Sequence, residues 1–228
     1  MKSWCIGKPS GSYVAKMEDV LDVYQRPYNP KRPVVCLDEA SKELHATPRG
    51  CLPLKPGKPI RQDYEYERHG VANLFLTLAP LCGWRKVRVT ERRTQCDFAE
   101  QLRLLSDEDF PDAEIIVLVV DNLNTHSPGA LYEYFEPEEA HRLAARFEWH
   151  YTPEHASWLN IAECELSVLA AQCLNQHIPD KDTLIRQVAA WEERRNRTCA
   201  RVDWQFTTAD ARIKLKRLYP VVKEQNLA

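Results

Sequence analysis

The sequence has no long apolar segment, and this absence excludes membrane-spanning and secreted proteins from the expected classes. Its longest aliphatic run, residues 115–120, has six residues, whereas a bilayer-spanning helix needs about 20. Residues 1–10 contain no apolar stretch of the kind found in secretory leaders. We therefore expect a cytoplasmic protein with no membrane partner. The sequence also shows no internal repeat and no low-complexity tract.

Clustered cysteines are also missing. The chain has eight cysteines, but none forms a Cys-x-x-Cys pair. Structural zinc sites and disulfide frameworks use closely spaced cysteines, so we expect neither. Most of the eight are expected to be reduced side chains that are buried as small hydrophobic groups.

Charge is distributed unevenly along the chain. Residues 1–96 hold 17 basic and 10 acidic side chains, residues 97–170 hold 3 and 16, and residues 181–228 hold 11 and 6. One interpretation is an ordinary solvated surface of mixed charge. The other is a pair of basic flanks that approach phosphate groups, around an acidic centre that binds cations.

The spacing of apolar residues predicts an α/β fold. Apolar runs predict five strands, at residues 34–37, 71–78, 84–90, 114–120 and 147–151. Helical spacing predicts helices at residues 13–25, 97–105, 127–135, 137–146, 158–174, 181–197 and 208–218. The continuous β-branched run in 114–120 is typical of a strand buried on both faces. The expected architecture is a mixed sheet flanked by helices.

Three acidic side chains occupy positions that suit metal binding. Asp38 and Asp121 each follow an apolar strand core, and ligands collect at the carboxyl ends of strands, so the two acids converge if their strands are adjacent and parallel. Each one alone could equally cap a strand end. Glu163 lies in an apolar helix, where it must pair with a basic group or bind a metal. Three carboxylates suit two Mg²⁺ or Mn²⁺ ions in phosphoryl transfer.

Several other side chains have two interpretations each. His126 could be structural or contact a phosphate, and Asn122 could orient Asp121 or cap the following turn. Asn160 shares a helical face with Glu163, whereas the neighbours of Glu165 are apolar, so Glu165 is expected to meet a basic partner or the helix edge. Trp158 is expected to anchor its helix, with base stacking as the alternative. A loop offers four basic side chains, either solvated or gripping a phosphate backbone: Arg49, Lys55, Lys58 and Arg61.

The order and spacing of four motifs resemble the DDE transposases of the mariner superfamily, in particular their bacterial insertion-sequence branch. The resemblance extends over about residues 13–220. The motifs are Leu37-Asp38-Glu39, Val120-Asp121-Asn122 with His126, Thr152-Pro153-Glu-His-Ala-Ser-Trp-Leu-Asn-Ile-Ala-Glu163, and Trp204-Gln-Phe-Thr-Thr followed by Asp210-Ala211-Arg212.

The resemblance implies an RNase-H-like fold in three regions: a lead-in helix and proline-rich linker in 1–33, a DDE catalytic domain in 34–200 and a helical extension in 201–228. It implies that two Mg²⁺ ions, replaceable by Mn²⁺, are bound by the catalytic residues, which are Asp38, Asp121 and Glu163. The supporting residues would be Asn122, His126 and Asn160.

The implied activity is DNA strand cleavage and strand transfer in the bacterial cytoplasm or nucleoid. The partners would be transposon ends, target DNA and a second copy of the chain assembled on DNA. Full-length members carry helix-turn-helix domains before the catalytic part, and none fits before Val34, so end recognition is expected to be absent. Two alternatives are a truncated, non-catalytic remnant that binds DNA or a partner, and another RNase-H-like nuclease.

Overall fold

The computed structural model describes residues 10–47, 56–57, 65–123 and 125–221, and these form a mixed five-stranded sheet. The sheet order is β3-β2-β1-β4-β5. Antiparallel pairing joins β3, β2 and β1, whereas β4 and β5 extend the sheet in parallel with β1. The strands are β1 (Val34–Ala46), β2 (Glu67–Ala79), β3 (Trp84–Thr90), β4 (Ile116–Val120) and β5 (Phe147–Tyr151). The mixed sheet expected from the sequence is confirmed.

Helices cover both faces of this sheet. Within the described ranges they are α1 (Gly11–Tyr24), α2 (Gln95–Leu104), α3 (Gly129–Tyr134), α4 (Pro137–Ala144), α5 (Ile161–Leu169), α6 (Lys181–Arg197) and α7 (Thr208–Lys214). The last turns of α2 and α5 widen into single π-helical turns, at Leu105–Asp109 and Ala170–Leu174.

Two hydrophobic clusters lie on opposite faces of the sheet because successive strand residues point to opposite sides. One contains Cys36 and Val119 together with side chains of α1, α5 and α6. The other contains Leu37 and Val120 together with side chains of α2, α3 and α4. All five residues of β4 are buried, as expected for a strand in the middle of a sheet.

Strand β1 is longer than predicted, so Asp38 does not end it. The parallel pairing of β1 with β4 stops at Cys36 and Val119, whereas the antiparallel pairing with β2 continues, with Asp38 opposite Leu76. The sequence prediction was wrong because the polar residues after Leu37 still hydrogen-bond to β2. Asp38 therefore lies where β1 separates from β4, which opens a cleft between the two strands.

The predicted single helix over 158–174 is interrupted at Asn160. This residue has an extended backbone (φ −84°, ψ 105°), and its side-chain oxygen accepts a hydrogen bond from the amide of Ala162 at 3.1 Å. Asn160 is therefore the N-cap of α5, a role that asparagine favours. The expectation that Asn160 lies inside the helix was wrong, because Asn160 precedes the helix and Glu163 lies in its first turn.

Helix α1 and the C-terminal segment pack on the same core as the sheet. Met17, Val20 and Leu21 of α1 have no exposed surface. Trp204 packs against this cluster and contacts the ring of Tyr24, with 5.2 Å between ring centroids. The division of the chain at residues 33 and 200 stays a prediction.

The cysteines are less buried than expected. Of the six that the structure describes, all are free thiols, and only Cys36 and Cys173 are buried. The prediction that most would be buried was wrong, because Cys96, Cys164 and Cys199 lie at exposed positions. In the described part of the chain, none of the helices has the length and apolarity needed to cross a bilayer.

Candidate active site

A cavity of about 490 Å³ opens at the carboxyl ends of the parallel strands β1 and β4. The structure brings together there all three acids singled out in the sequence, Asp38, Asp121 and Glu163. Glu39, Asn122 and Asn160 also line the cavity. The expectation that the strands leading to Asp38 and Asp121 are adjacent and parallel is confirmed.

Asp38 has a strongly perturbed carboxyl group. Burial raises its pKa to about 7, partly offset by the backbone N–H of Glu39, which donates to Asp38 Oδ1 at 2.7 Å. Repulsion by Asp121 and Glu163 raises the pKa further. The carboxylates at this cavity therefore form a concentration of negative charge that a cation would relieve.

Asp121 follows β4 directly and is held by His126. Its Oδ1 accepts hydrogen bonds from Nδ1 of His126 and, at 3.4 Å, from the backbone N–H of Leu123. The second ring nitrogen of His126, Nε2, lies 3.0 Å from Oε1 of Glu39. Burial lowers the pKa of His126, but its hydrogen bonds to Asp121 and Glu39 outweigh burial and raise the pKa to about 9. The ring therefore donates from both nitrogens as an imidazolium.

Glu163 lies in the first turn of α5, where the N-terminal end of the helix dipole favours a carboxylate. Asn160 fixes this turn on the sheet, because its side-chain amide donates to the carbonyl of Leu37 at 3.2 Å. Both hydrogen-bonding groups of the Asn160 side chain are thus engaged with the backbone. Asn160 orients α5 and has a structural contact to β1, next to Asp38.

Glu165, two residues further along α5, faces away from the cavity. It is buried and forms paired hydrogen bonds with Arg195, at 2.9 and 2.7 Å. Its Oε1 also lies 2.9 Å from Nε of Arg85, which is itself fully buried. Glu165 thus has the basic partners that the apolar surroundings of its sequence position predicted.

One residue that lines the cavity, Asn122, differs from expectation. The side chain of Asn122 accepts a hydrogen bond from Nζ of Lys16 in α1 at 2.8 Å, so it neither orients Asp121 nor caps the turn. The turn is capped by Asp121 itself. Sequence reasoning missed Lys16, because nothing in the sequence relates a position in α1 to one 106 residues later.

Trp158 is 40% exposed and is not the buried anchor that the sequence favoured. It stacks on Trp204 at a centroid distance of 6.5 Å and meets the edge of Phe206 at 5.9 Å. The aromatic residues of two sequence motifs therefore contact each other, beside the turn that precedes α5. The predicted basic loop residues lie outside the described residues: Arg49, Lys55, Lys58 and Arg61.

The donor set at the cavity fits a hard divalent cation, because it consists of carboxylate oxygens. His126 is not available as a ligand, since both of its nitrogens are hydrogen-bonded to carboxylates. Among the residues the structure describes, no three histidine, cysteine, aspartate or glutamate side chains are arranged as a ready-made metal site. The repulsion that raises the pKa of Asp38 supports the fit, since a cation would neutralise it.

The fold is similar to that of mariner transposase structures. The Mos1 mariner paired-end complex with Mn has a TM-score of 0.54 and 14% identity, covering 88% of this chain and 64% of that one. The Mos1 strand transfer complex has a TM-score of 0.55 and 13% identity, covering 95% and 64%. The Mos1 paired-end complex with the left transposon end has a TM-score of 0.51 and 14% identity, covering 88% and 65%.

This likeness establishes the expected RNase-H-like fold, a mixed sheet flanked by helices. The chain spans 64% of the length of the first two Mos1 chains it matches. No curated protein matches the sequence. A family model described as DDE superfamily endonuclease matches residues 33–185, which contain all five strands of the sheet and every residue that lines the cavity. The chain therefore belongs to the DDE superfamily of endonucleases.

Proposed function

We propose that this chain is the catalytic domain of a DNA transposase, which cleaves DNA strands and transfers them to a target. The observation that carries the proposal is the meeting of Asp38, Asp121 and Glu163 at one cavity in a chain of the DDE superfamily. The similarity to mariner transposase structures supports it. The bacterial insertion-sequence branch is part of the proposal and depends on the sequence motifs alone.

The three acids are the proposed ligands of two Mg²⁺ ions, for which Mn²⁺ can substitute. When bound, such ions activate a water molecule or a 3′-hydroxyl group and stabilise charge on the attacked phosphate. The similar Mos1 structures include complexes with Mn and with Mg, which supports this choice of cation.

The chain's own residues hold the ligands in place. His126 hydrogen-bonds to the carboxylate of Asp121 and fixes its orientation, and Asn160 fixes the first turn of α5, which carries Glu163. Asp38 is held by the backbone N–H of Glu39. Its raised pKa of about 7 means that it releases its proton near neutral pH, which we infer makes the cavity more anionic as pH rises.

The proposed partner is DNA, as transposon ends and target, bound by a homodimer that forms on the DNA. The neighbouring structures are transposase complexes that include transposon ends, which supports a DNA substrate. This substrate would place the chain in the cytoplasm or nucleoid.

Incubation of the chain with end-labelled duplex DNA and Mn²⁺, compared with Asp121→Ala, tests the proposal. We expect strand cleavage by the natural chain and none by the variant, since loss of one ligand disables the site. Glu133→Gln, an exposed change in α3, is the control and should cleave normally. Equal cleavage by all three proteins would show a contaminating nuclease. DNA binding without any cleavage by the natural chain would instead favour a non-catalytic remnant.

A further inference from the structure

Glu39 is adjacent to the proposed ligand Asp38 and also lines the cavity, but it belongs to the face of the sheet that α2 covers. Successive residues of a strand point to opposite faces, and Glu39 pairs laterally with Phe75, a member of the cluster under α2. Its side chain is only 8% exposed. A carboxylate buried among apolar side chains needs a partner, and here the partner is His126.

His126 has little freedom to move. Its side chain has no exposed surface, and its ring stacks on Phe98 of α2 with 4.4 Å between centroids and 27° between planes. One nitrogen contacts Asp121 and the other contacts Glu39 at 3.0 Å. The imidazole therefore connects Glu39, which is held in a strand, with Asp121, which lies just beyond the end of β4. The position of the Asp121 carboxylate thus depends on the position of Glu39.

We propose that Glu39 is a positioning residue, which holds the carboxylate of Asp121 in its metal-binding orientation by fixing the imidazole of His126. This inference rests on the proposed function, since it takes Asp121 as a metal ligand. Asp121 needs such support because it lies outside any strand or helix and its side chain is 35% exposed. Partners that orient a ligand in this way typically contribute about 10–100-fold to metal affinity.

The same chain contains a matched comparison. His150 in β5 is also buried and also lies between two carboxylates, with Nδ1 2.7 Å from Asp19 and Nε2 3.0 Å from Glu148. None of these three residues lines the cavity. Removing Asp19 disturbs a carboxylate–histidine pair of the same kind without touching the proposed metal site.

Two substitutions separate position from charge at Glu39. Glu39→Gln keeps the length of the side chain, and its amide can accept a hydrogen bond from Nε2 or donate one to it. Glu39→Asp keeps the charge but is one methylene shorter, so its carboxylate no longer reaches Nε2 from the same backbone position. If position matters, glutamine preserves the function of Glu39 and aspartate does not.

The experiment measures binding of Mn²⁺ alone to the full chain, from the electron paramagnetic resonance signal of the free ion, together with thermal unfolding of each variant. We expect Glu39→Asp to weaken Mn²⁺ binding about 10–100-fold, and Glu39→Gln to weaken it by less than tenfold. Asp19→Asn should bind Mn²⁺ like the natural chain. DNA cleavage at increasing Mn²⁺ should show the same order.

Other outcomes overturn the inference. Weaker binding for glutamine than for aspartate would mean that Glu39 acts through its charge or is itself a ligand. Binding unchanged in both variants, or an equal loss in both, would leave Glu39 with only a structural role. If the natural chain binds no Mn²⁺, the proposed metal site is wrong as well. If the natural chain binds Mn²⁺ and both Glu39 variants bind it equally well, only the positioning role of Glu39 is wrong.

Discussion

Replacing Asp38 with asparagine should stabilise the metal-free protein while abolishing the proposed cleavage activity. The folded chain raises the pKa of Asp38 to about 7, against 3.8 for an unperturbed aspartate. Between these two values the folded state retains a proton that the unfolded state releases, so the stability of the natural chain falls as pH rises from about 4 to 7. Asparagine carries no charge and can still accept the hydrogen bond from the N–H of Glu39.

The size of the effect follows from the same two values. A difference of about three pH units corresponds to about 4 kcal/mol, which is the upper limit of the stabilisation at pH 8. Asp38 is only half-buried, so water screens part of this penalty, and a gain of about 2–3 kcal/mol is expected. For a chain of this length that gain raises Tm by on the order of 5–10 °C.

Thermal unfolding in the presence of a chelator, at pH 4.5 and pH 8, measures this directly. Asp38→Asn should unfold near the temperature of the natural chain at pH 4.5 and well above it at pH 8. Asp112→Asn, at an exposed position, is the control and should differ from the natural chain at neither pH. An Asp38→Asn variant that is no more stable at pH 8 would refute the account of burial and repulsion at this carboxyl group.

Three further predictions concern the same site and its substrate. Glu163→Gln should abolish Mn²⁺-dependent cleavage with little change in Tm. Glu165→Gln should cost about 3–5 kcal/mol of stability, because it leaves Arg85 with a neutral partner, but should still cleave DNA below its Tm. The reverse pattern would exchange the roles of the two glutamates. Binding of duplex DNA, measured by fluorescence anisotropy, should be weak and independent of DNA sequence. If six or more phosphates are contacted, the affinity should be about 10³-fold or more lower at 200 mM than at 50 mM salt. A tight, sequence-selective complex would contradict this prediction. The stability that the His126 imidazolium contributes should be complete below about pH 6.5 and lost as pH rises through 9, and His126→Gln should remove this dependence from unfolding curves measured in chelator.

The sequence predicts the parts of the site that depend on local pattern. The fully apolar β4 places Asp121 at the end of a buried strand, and the apolar core of β1 places Asp38 close to it. The extension of β1 was not predictable, because residues after Leu37 are polar and their pairing with β2 is a long-range contact. Glu165 was correctly separated from Glu163 because its apolar neighbours require a buried partner.

Contacts between distant segments are where sequence reasoning stops. The hydrogen bond from Lys16 to Asn122 and the contact of Glu39 with His126 join residues 106 and 87 positions apart. Their local patterns contain no trace of the partner. Asparagine is a common N-cap residue, so the capping role of Asn160 could have been predicted from its residue type. The motif instead suggested a continuous helix, whereas the backbone at Asn160 is extended and α5 begins after it.

The anchoring of α5 has a mechanical consequence for the three carboxylates. The start of this helix is tied to α1 through the hydroxyl of Tyr24, which donates to the carbonyl of Leu159 at 2.6 Å, and to β1 through Asn160. Its middle is clamped by the ion pairs of Glu165. Glu163 is thus held between two fixed points, and Asp38 is held in a strand. The positions of these two carboxylates are therefore set by the backbone of β1 and α5. Asp121, in contrast, is positioned through a side chain, that of His126, so a change at His126 would displace this one carboxylate and leave the other two in place.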